Sequence, residues 1–456
     1  MILRSFLWHG KRAALVLLSL GLSAGAQQVA SPRADAPLRL TLRDAVERGL
    51  VHQVRVRLAE TRVDESAGAR ERRFSALLPR ARAEVSASLQ NRNLRAFGIS
   101  FPGTPEVVNP FSNYDFRLYA ESAVVDRQLY HQWKATEQQE RAARNELQDT
   151  RDQVVRLIAA LYLNAQAAAA RLRAAESRVR DAEALLALAR ERREAGVATG
   201  VDVLRAQVQL SNELQRRLEA SLARQQALFQ LARNIGLRPG TAIELAEQLE
   251  FQEVAVPEAG EALAAALAAR ADYLSLVSQR DALAAQQRAN RARYLPRFTV
   301  GTNFGGLGRT LSGVRATGAV QGTISMTVFD RDRSGEEAEL ASRLRRIEAQ
   351  IEDLRLGIEL EIREALLALE SAAREVRVSR EGRALAEREL ELARDRFAAG
   401  VTSNIEVVTA QDALARALEN EILAATRHAD ARMALARALG GTEKNYLMFA
   451  RAGQSD

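Results

Sequence analysis

Cysteine is absent from the 456 residues. That removes disulfides, thiolate metal sites and a lipid-bearing N-terminal cysteine. The four histidines, His9, His52, His131 and His428, are scattered without ligand spacing. No nucleophile–base pair and no carboxylate pair has a site around it, so the chain reads as a non-enzyme with no cofactor and no metal. Beyond the N-terminus, no segment offers the ~20 uninterrupted apolar residues of a transmembrane helix. If this chain enters a membrane, it does so as strands. Charge of a single sign is also missing: 65 Lys and Arg nearly balance 58 Asp and Glu, leaving a formal +7. Arginine interleaved with glutamate along helices is a solvated face, which argues against nucleic acid as a partner.

The N-terminus carries a targeting pattern. Arg4, Lys11 and Arg12 precede an apolar run from Ala13 to Ser23, and Ala24-Gly25-Ala26 is a small-residue cleavage site. Residues 1–26 are therefore expected to be a signal peptide, with 27–456 the exported body.

One pattern occurs twice. Ala189 to Gln207 and Ala393 to Gln411 align without a gap, placing Gly196 on Gly400, Thr199 on Ser403 and Asp202 on Glu406. In each copy a charged, Ala-rich helix stops at a glycine suited to the left-handed C-terminal conformation. A Ser or Thr with an acid three residues later then restarts a helix as a capping box, Asp202 being a weaker third-position partner than the usual Glu or Gln. Two such hairpins at fixed spacing indicate an internal duplication, with a first repeat over about 41–240 and a second over about 258–441.

The segments between fit that plan. Helical pattern runs from Thr41 to about Leu78 and again from Glu261 to Tyr294, each ending in Leu-Pro-Arg. Alternating apolar and polar residues follow, predicting strands at about 80–91, 113–125, 297–305 and 314–329. Asn91 to Ser112, with Gly98, Pro102, Gly103, Pro105 and Pro110, reads as a loop. Two very long helices come next, about Asp126–Ala195 and Ser334–Ala399. At 1.5 Å per residue each spans roughly 100 Å, too long for any globular core. The second has a seam that includes Leu340, Ile347, Ile358, Ile362, Leu369 and Val376, whose spacing signals coiled-coil packing. Return helices follow from Thr199 and Ser403, each about half as long. The shorter helices before the strands supply the missing length. This gives a rod with both hairpin tips at one end and both strand pairs at the other.

Four strands are too few to close a barrel, and open edges are not tolerated in a bilayer. Other copies of the chain must complete the sheet. Two copies would give eight strands and a nearly plugged barrel; three would give twelve and a water-filled pore.

The signal sequence, the doubled order of helix, strand pair, long helix and return helix, and the Gly-x-x-[Ser/Thr]-x-x-[Asp/Glu]-Val tips together resemble the TolC-type outer-membrane efflux channel family. Val328-Phe329-Asp330 also looks like that family's strand-to-helix junction. The resemblance covers nearly the whole mature chain. It implies a mainly α fold with a small β part: a long antiparallel helical (α-barrel) tunnel, plus four strands per chain in a trimeric twelve-stranded transmembrane β-barrel. It further implies a homotrimer in outer-membrane lipid with its tunnel projecting into the periplasm. The function implied is the passive exit duct of a tripartite efflux or type I secretion system, docked to a periplasmic adaptor and an inner-membrane pump. The tip would hold the gate, through the region of Gly196, Thr199, Asp202, Phe397, Gly400, Thr402, Ser403 and Glu406. Acidic rings of the relatives fall on Asp202 and Glu406, while a second acidic position falls on Thr409, with Arg205 in the first repeat. The tyrosine and arginine that tie the gate in the best-known member correspond to Phe397 and Thr402, which lack the groups for those hydrogen bonds.

Weaker signals have simpler readings. Asp330 to Glu336 begins like a calcium loop, but its twelfth position is Ala341 and no helix precedes it, so a capped helix start is expected. Gly301 to Gly308 lacks the Gly-Lys-Ser/Thr ending of a phosphate loop and reads as a hairpin turn. Tyr130 and Trp133, just after the second strand, suit a membrane-interface girdle or helix packing. No Met- or His-rich stretch favours a metal cargo. The other functional class open to this sequence is a secreted or surface coiled-coil structural protein without a channel. The strands separate the two, since a rod has no use for four alternating segments at two equivalent places.

Overall fold

The structure, a computed structural model, describes residues 37–98, 102–103, 105–248, 251, 254 and 257–450. The expected signal peptide at 1–26 lies outside the described residues. In chain order the first half comprises β1 (Leu38–Leu40), α1 (Leu42–His52), α2 (Val54–Ser75), β2 (Arg80–Asn93), β3 (Val107–Val125), α3 (Arg127–Glu194) and α4 (Gly200–Asn234). The second comprises β4 (Ile243–Leu245), α5 (Ala259–Ala269), α6 (Ala271–Ala292), β5 (Arg297–Gly308), β6 (Arg315–Ser325), α7 (Asp332–Ala398), α8 (Asn404–Leu439) and α9 (Thr442–Ala450).

The helix expected over 41–78 is broken. Gln53 is extended (φ −69°, ψ 122°), and its side chain donates to the Asn234 carbonyl at 2.9 Å. Arg270 breaks the second copy in the same conformation (φ −70°, ψ 118°). Its guanidinium is almost fully buried, where it binds Asp272 at 2.7 Å and Glu361. Neither break carries a proline or glycine; distant side chains hold both. The continuous-helix reading is thereby corrected to two helices in each half.

α3 and α7 contain 68 and 67 residues, about 100 Å each at the helical rise. α3 packs against α2 and α6 toward the strands and against α4 toward the tips, while α7 packs against α6 and α8. Among the described residues, buried apolar side chains gather in three clusters. One, in the first half, centres on Val46, Val56, Ile158, Tyr162, Leu231 and Ile235, closed by the short parallel pairing of β1 with β4. A second joins α5, α7 and α8 through Ile358, Ile362, Leu369 and Leu435. The third lies at the tips. The Tyr130 and Trp133 rings lie tilted against each other at 5.8 Å between centres, and Trp133 also meets Phe74 of α2 at 5.6 Å. Trp133 is thus held between helices, whereas Tyr130 is 44% exposed and its ring meets those of His131 and Trp133 on its own helix.

All four long strands form one antiparallel sheet in the order β2-β3-β5-β6. Its register brings the four alternating patterns into phase. Val85, Phe116, Phe304 and Val320 share one face with Ala83, Leu118, Thr302 and Ile324, while Arg82, Tyr119, Asn303 and Gln321 share the other. β3 starts earlier than expected, at Val107, and β5 runs on to Gly308, so Gly301–Gly308 is paired strand rather than the expected hairpin turn. The register slips between Gln90 and Arg92, where Pro110 lies opposite, a place where a residue without an N–H is tolerated. The fourth strand stops at Ser325, short of the expected 329. Ser325 already pairs with Arg297, the first residue of β5, so β5 offers nothing for 326–329 to pair with. β2 and β6, the outermost strands of the sheet, each have one unpaired edge.

Candidate functional site

The two tips are built the same way at their helix ends. Gly196 and Gly400 have φ of 77° and 79°, the left-handed region. The Val197 N–H donates to the Arg192 carbonyl at 2.9 Å and the Gly196 N–H to that of Arg193 at 3.0 Å. Val401 to Arg396 (3.0 Å) and Gly400 to Phe397 (3.1 Å) repeat the pattern. Both helices thus end in a Schellman motif, which satisfies carbonyls that would otherwise be orphaned.

Their restarts differ. At α4 the capping box forms in full. The Thr199 N–H and hydroxyl donate to Asp202 Oδ2 at 3.0 and 2.6 Å, and the Asp202 N–H donates back to the hydroxyl at 3.4 Å. The Thr199 hydroxyl, helped by its N–H and by the Arg205 and Arg192 charges, holds the Asp202 carboxyl below the ordinary carboxylate range despite some desolvation. At α8 the expected box is not made. Ser403 has the extended N-cap backbone but no side-chain cap hydrogen bond. Glu406 turns instead toward Arg396, at 3.6 Å. Arg192, the counterpart of Arg396 in the first hairpin, is stacked on Phe397 instead, so the two acids have different partners.

The hairpins meet through an apolar cluster of Leu186, Val203, Leu390, Phe397 and Val407 with small residues between. Phe397 is 2% exposed and lies under the Arg192 guanidinium, 4.8 Å from ring centre to charge. Thr402 is half-buried in the turn itself. Several polar links cross from one hairpin to the other, two of them close to the tips. Asn404, fully buried, donates from Nδ2 to the Asp202 carbonyl at 2.7 Å. Arg394 donates to Asp181 at 2.7 Å. The sequence reading missed Asn404, although the aligned position in the first copy is Gly200, so only one hairpin carries a side chain there. Beside these links an apolar groove of about 370 Å³ opens between the first turns of α4 and α8, lined by Val201, Leu204, Val208, Ile405 and Val408, with Arg205 at its edge. All eight residues expected at the tips therefore fall in one compact region, with Asp202 and Phe397 inside it and Gly196 and Gly400 at its turns.

Asp330 to Glu336 opens α7, and among the described residues no group of potential metal ligands is found there or elsewhere. Asp330 instead accepts from the Asp332 N–H at 3.1 Å and pairs with Arg293 at 2.6 Å. Arg331 stands at the N-cap without a side-chain hydrogen bond, so the start is braced by Asp330 rather than by a cap residue.

Comparison with known proteins follows the same lines. The family model described as "Outer membrane efflux protein" matches residues 50–237 and 261–441, one segment in each half. No curated protein matches the sequence. Among solved structures, the outer-membrane channel OprN superposes with a TM-score of 0.74 at 20% identity, covering 88% of this chain and 90% of that one. The CmeC outer membrane channel of Campylobacter jejuni gives 0.74 at 16% identity, with 90% and 89% covered. The outer membrane protein VceC of Vibrio cholerae gives 0.73 at 18% identity, with 88% and 96% covered. At such identities the likeness is one of fold.

Proposed function

Since this chain belongs to the outer membrane efflux protein family, with that family's place in the outer membrane and its role as an efflux channel, we propose that three copies assemble into one continuous duct. The observation that carries this reading is the four-stranded sheet. Its apolar face is in phase across all four strands, and β2 and β6 each leave one edge unpaired. In a bilayer those edges need partners. β6 of one copy beside β2 of the next is antiparallel, like every other pair in the sheet, and three copies give twelve strands around a water-filled lumen. The helical rods then form a tunnel across the periplasm, and residues 1–26 serve as the export signal.

Segments 194–203 and 398–407 are the docking and gating end. The groove between α4 and α8 offers apolar surface to a periplasmic adaptor, and the links through Asn404 and Arg394 hold the two hairpins of one copy together. Asp202 and Glu406 contribute negative charge there, and an inner-membrane pump feeds the duct through the adaptor. The coiled-coil structural alternative leaves the sheet without a use.

The test exploits the absence of cysteine. Cysteine pairs scanned along the outer edges of β2 and β6 should yield oxidised dimers and trimers on denaturing gels. Detergent-extracted protein should scatter light as three chains. A stable, water-soluble monomer with no edge cross-link would overturn the proposal.

A further inference from the structure

We infer that the barrel lumen favours anionic solutes over cations, through an arginine surplus on the polar face of the sheet. This rests on the trimeric-barrel reading, which turns that face inward. The register assigns the face residue by residue. It holds Arg80, Arg82, Arg92, Arg117, Arg297 and Arg315 against Glu84, Asp115 and Glu121.

The three carboxylates offset half of the six arginines, Glu84 and Asp115 sharing Arg117, so the face keeps a net three positive charges per copy. Glu121 lies directly across from Arg80, and Glu84 across from Arg117. Asp115 binds Arg117 at 2.8 Å. Four arginines remain whose cross-strand neighbours, Tyr119, Val108, Ser325 and Leu307, carry no charge. Arg82 stacks on the Tyr119 ring at 4.7 Å, and Arg297 donates to the Ser325 hydroxyl at 2.7 Å, so both are held in place on that face. They sit at the two ends of the strands: Arg82 and Arg297 near the helices, Arg92 and Arg315 near the outer mouth.

Acids just below the barrel do not reverse the sign. Asp330 shares Arg293 with Asp332 and Glu336, but Arg331 and Arg333 alternate with these acids and leave the collar below the sheet close to neutral. Asp126 accepts from the Leu129 N–H as the cap of α3. At the mouth, Glu106 is paired with Arg95 at 2.8 Å, while Arg309 lies over the Phe111 ring. Three-fold repetition makes each unopposed arginine a ring of three charges. Rings of charged side chains set the ion preference of a pore. Low-dielectric walls focus the field along the lumen, raising the local concentration of the opposite charge. The solute class that fits is the carboxylate, sulfonate or phosphate-bearing small molecule.

The test is a reversal-potential measurement on the full-length protein in planar bilayers under a tenfold KCl gradient. Chloride should permeate in preference to potassium by about threefold or more, and the preference should grow as salt is lowered. Arg82→Glu with Arg297→Glu should carry the ratio below one, and Arg82→Gln with Arg297→Gln should bring it close to one. The corresponding lysine pair should keep it. Discrete channels that prefer potassium, or a ratio unmoved by the glutamate pair, would overturn the inference while leaving the duct intact. Protein that scatters light as a monomer and forms no channels would overturn the trimeric reading beneath it.

Discussion

Asn404 joins hairpins that are far apart in sequence, and its amide has only one partner across the interface, the Asp202 carbonyl. A buried amide-to-carbonyl bond contributes about 1 kcal/mol net. Asn404→Ala should therefore lower unfolding stability by about that much while loosening the tips, read as a higher basal conductance in bilayers. Asn404→Asp would put a carboxylate against a carbonyl oxygen and should cost at least about 2 kcal/mol. Equal conductance in wild type and both variants would remove the residue from the gate. A second buried polar side chain, His428, lies under the Phe251 ring at 4.6 Å between ring centres and is 1% exposed. Burial, with Arg432 nearby, pushes its imidazole down to about 4. An unfolded histidine titrates near 6.5, so this depressed group costs no stability above that pH. As pH falls from about 6.5 toward 4 the unfolded chain takes up the proton and the folded one does not. Stability then drops, by up to roughly 3 kcal/mol for this group. His428→Phe should flatten that part of the melting-temperature profile between pH 7 and 4.5, and an unchanged slope would assign it to other groups.

In the sheet, Val320 and Ile324 belong to the face continuous with Phe304, Phe116 and Val85, whereas Thr323 lies on the opposite one beside Thr299. Val320→Arg, near the middle of β6, should cost roughly 2–4 kcal/mol and reduce trimer yield. Thr323→Arg should be mild, and equal damage at both would mean the faces are assigned the wrong way round. Val328, further along the same alternating row in the sequence, lies beyond Ser325, the last residue of β6, so its substitution does not test the face of the sheet. The strands were legible in outline because a two-residue period survives in the sequence whatever the partner. Their ends depend on how far the neighbouring strand runs, which no local pattern encodes. The same distinction separates the helices. Period and glycine stops mark α3, α4, α7 and α8, while the breaks at Gln53 and Arg270 are held by Asn234 and Glu361, far away in sequence. At the tips both Schellman turns were readable from Gly196 and Gly400. Which of the two capping boxes would form was not, because the aligned arginines differ in partner, Arg192 stacking on Phe397 and Arg396 reaching Glu406.

At the scale of the molecule, the sheet and the tips lie at opposite ends of helices about 100 Å long, so changes at one end leave the other's packing untouched. That separation makes a clean test of the tip as the gating and docking end. Gly400 holds φ at 79°, and a Cβ there would stand 3.1 Å from Arg192 Nη2, the guanidinium stacked on Phe397. Gly400→Val should cost about 1–2 kcal/mol for the left-handed backbone alone. Its branched methyls should crowd the Arg192 guanidinium further than a Cβ alone. Gly400→Asn brings the same Cβ to Arg192, which need give only a few tenths of an ångström, but tolerates the left-handed backbone and should behave close to wild type. In cells, the valine variant should reach the outer membrane as trimers, since the sheet is remote, and yet fail to export substrate. Site-specific cross-linking from residue 401 to the periplasmic adaptor should fall with it and be kept in the asparagine variant. Normal export and normal adaptor cross-linking in Gly400→Val would count decisively against the tip as the docking end. Loss of the trimer itself would show that the two ends are coupled through the helices after all.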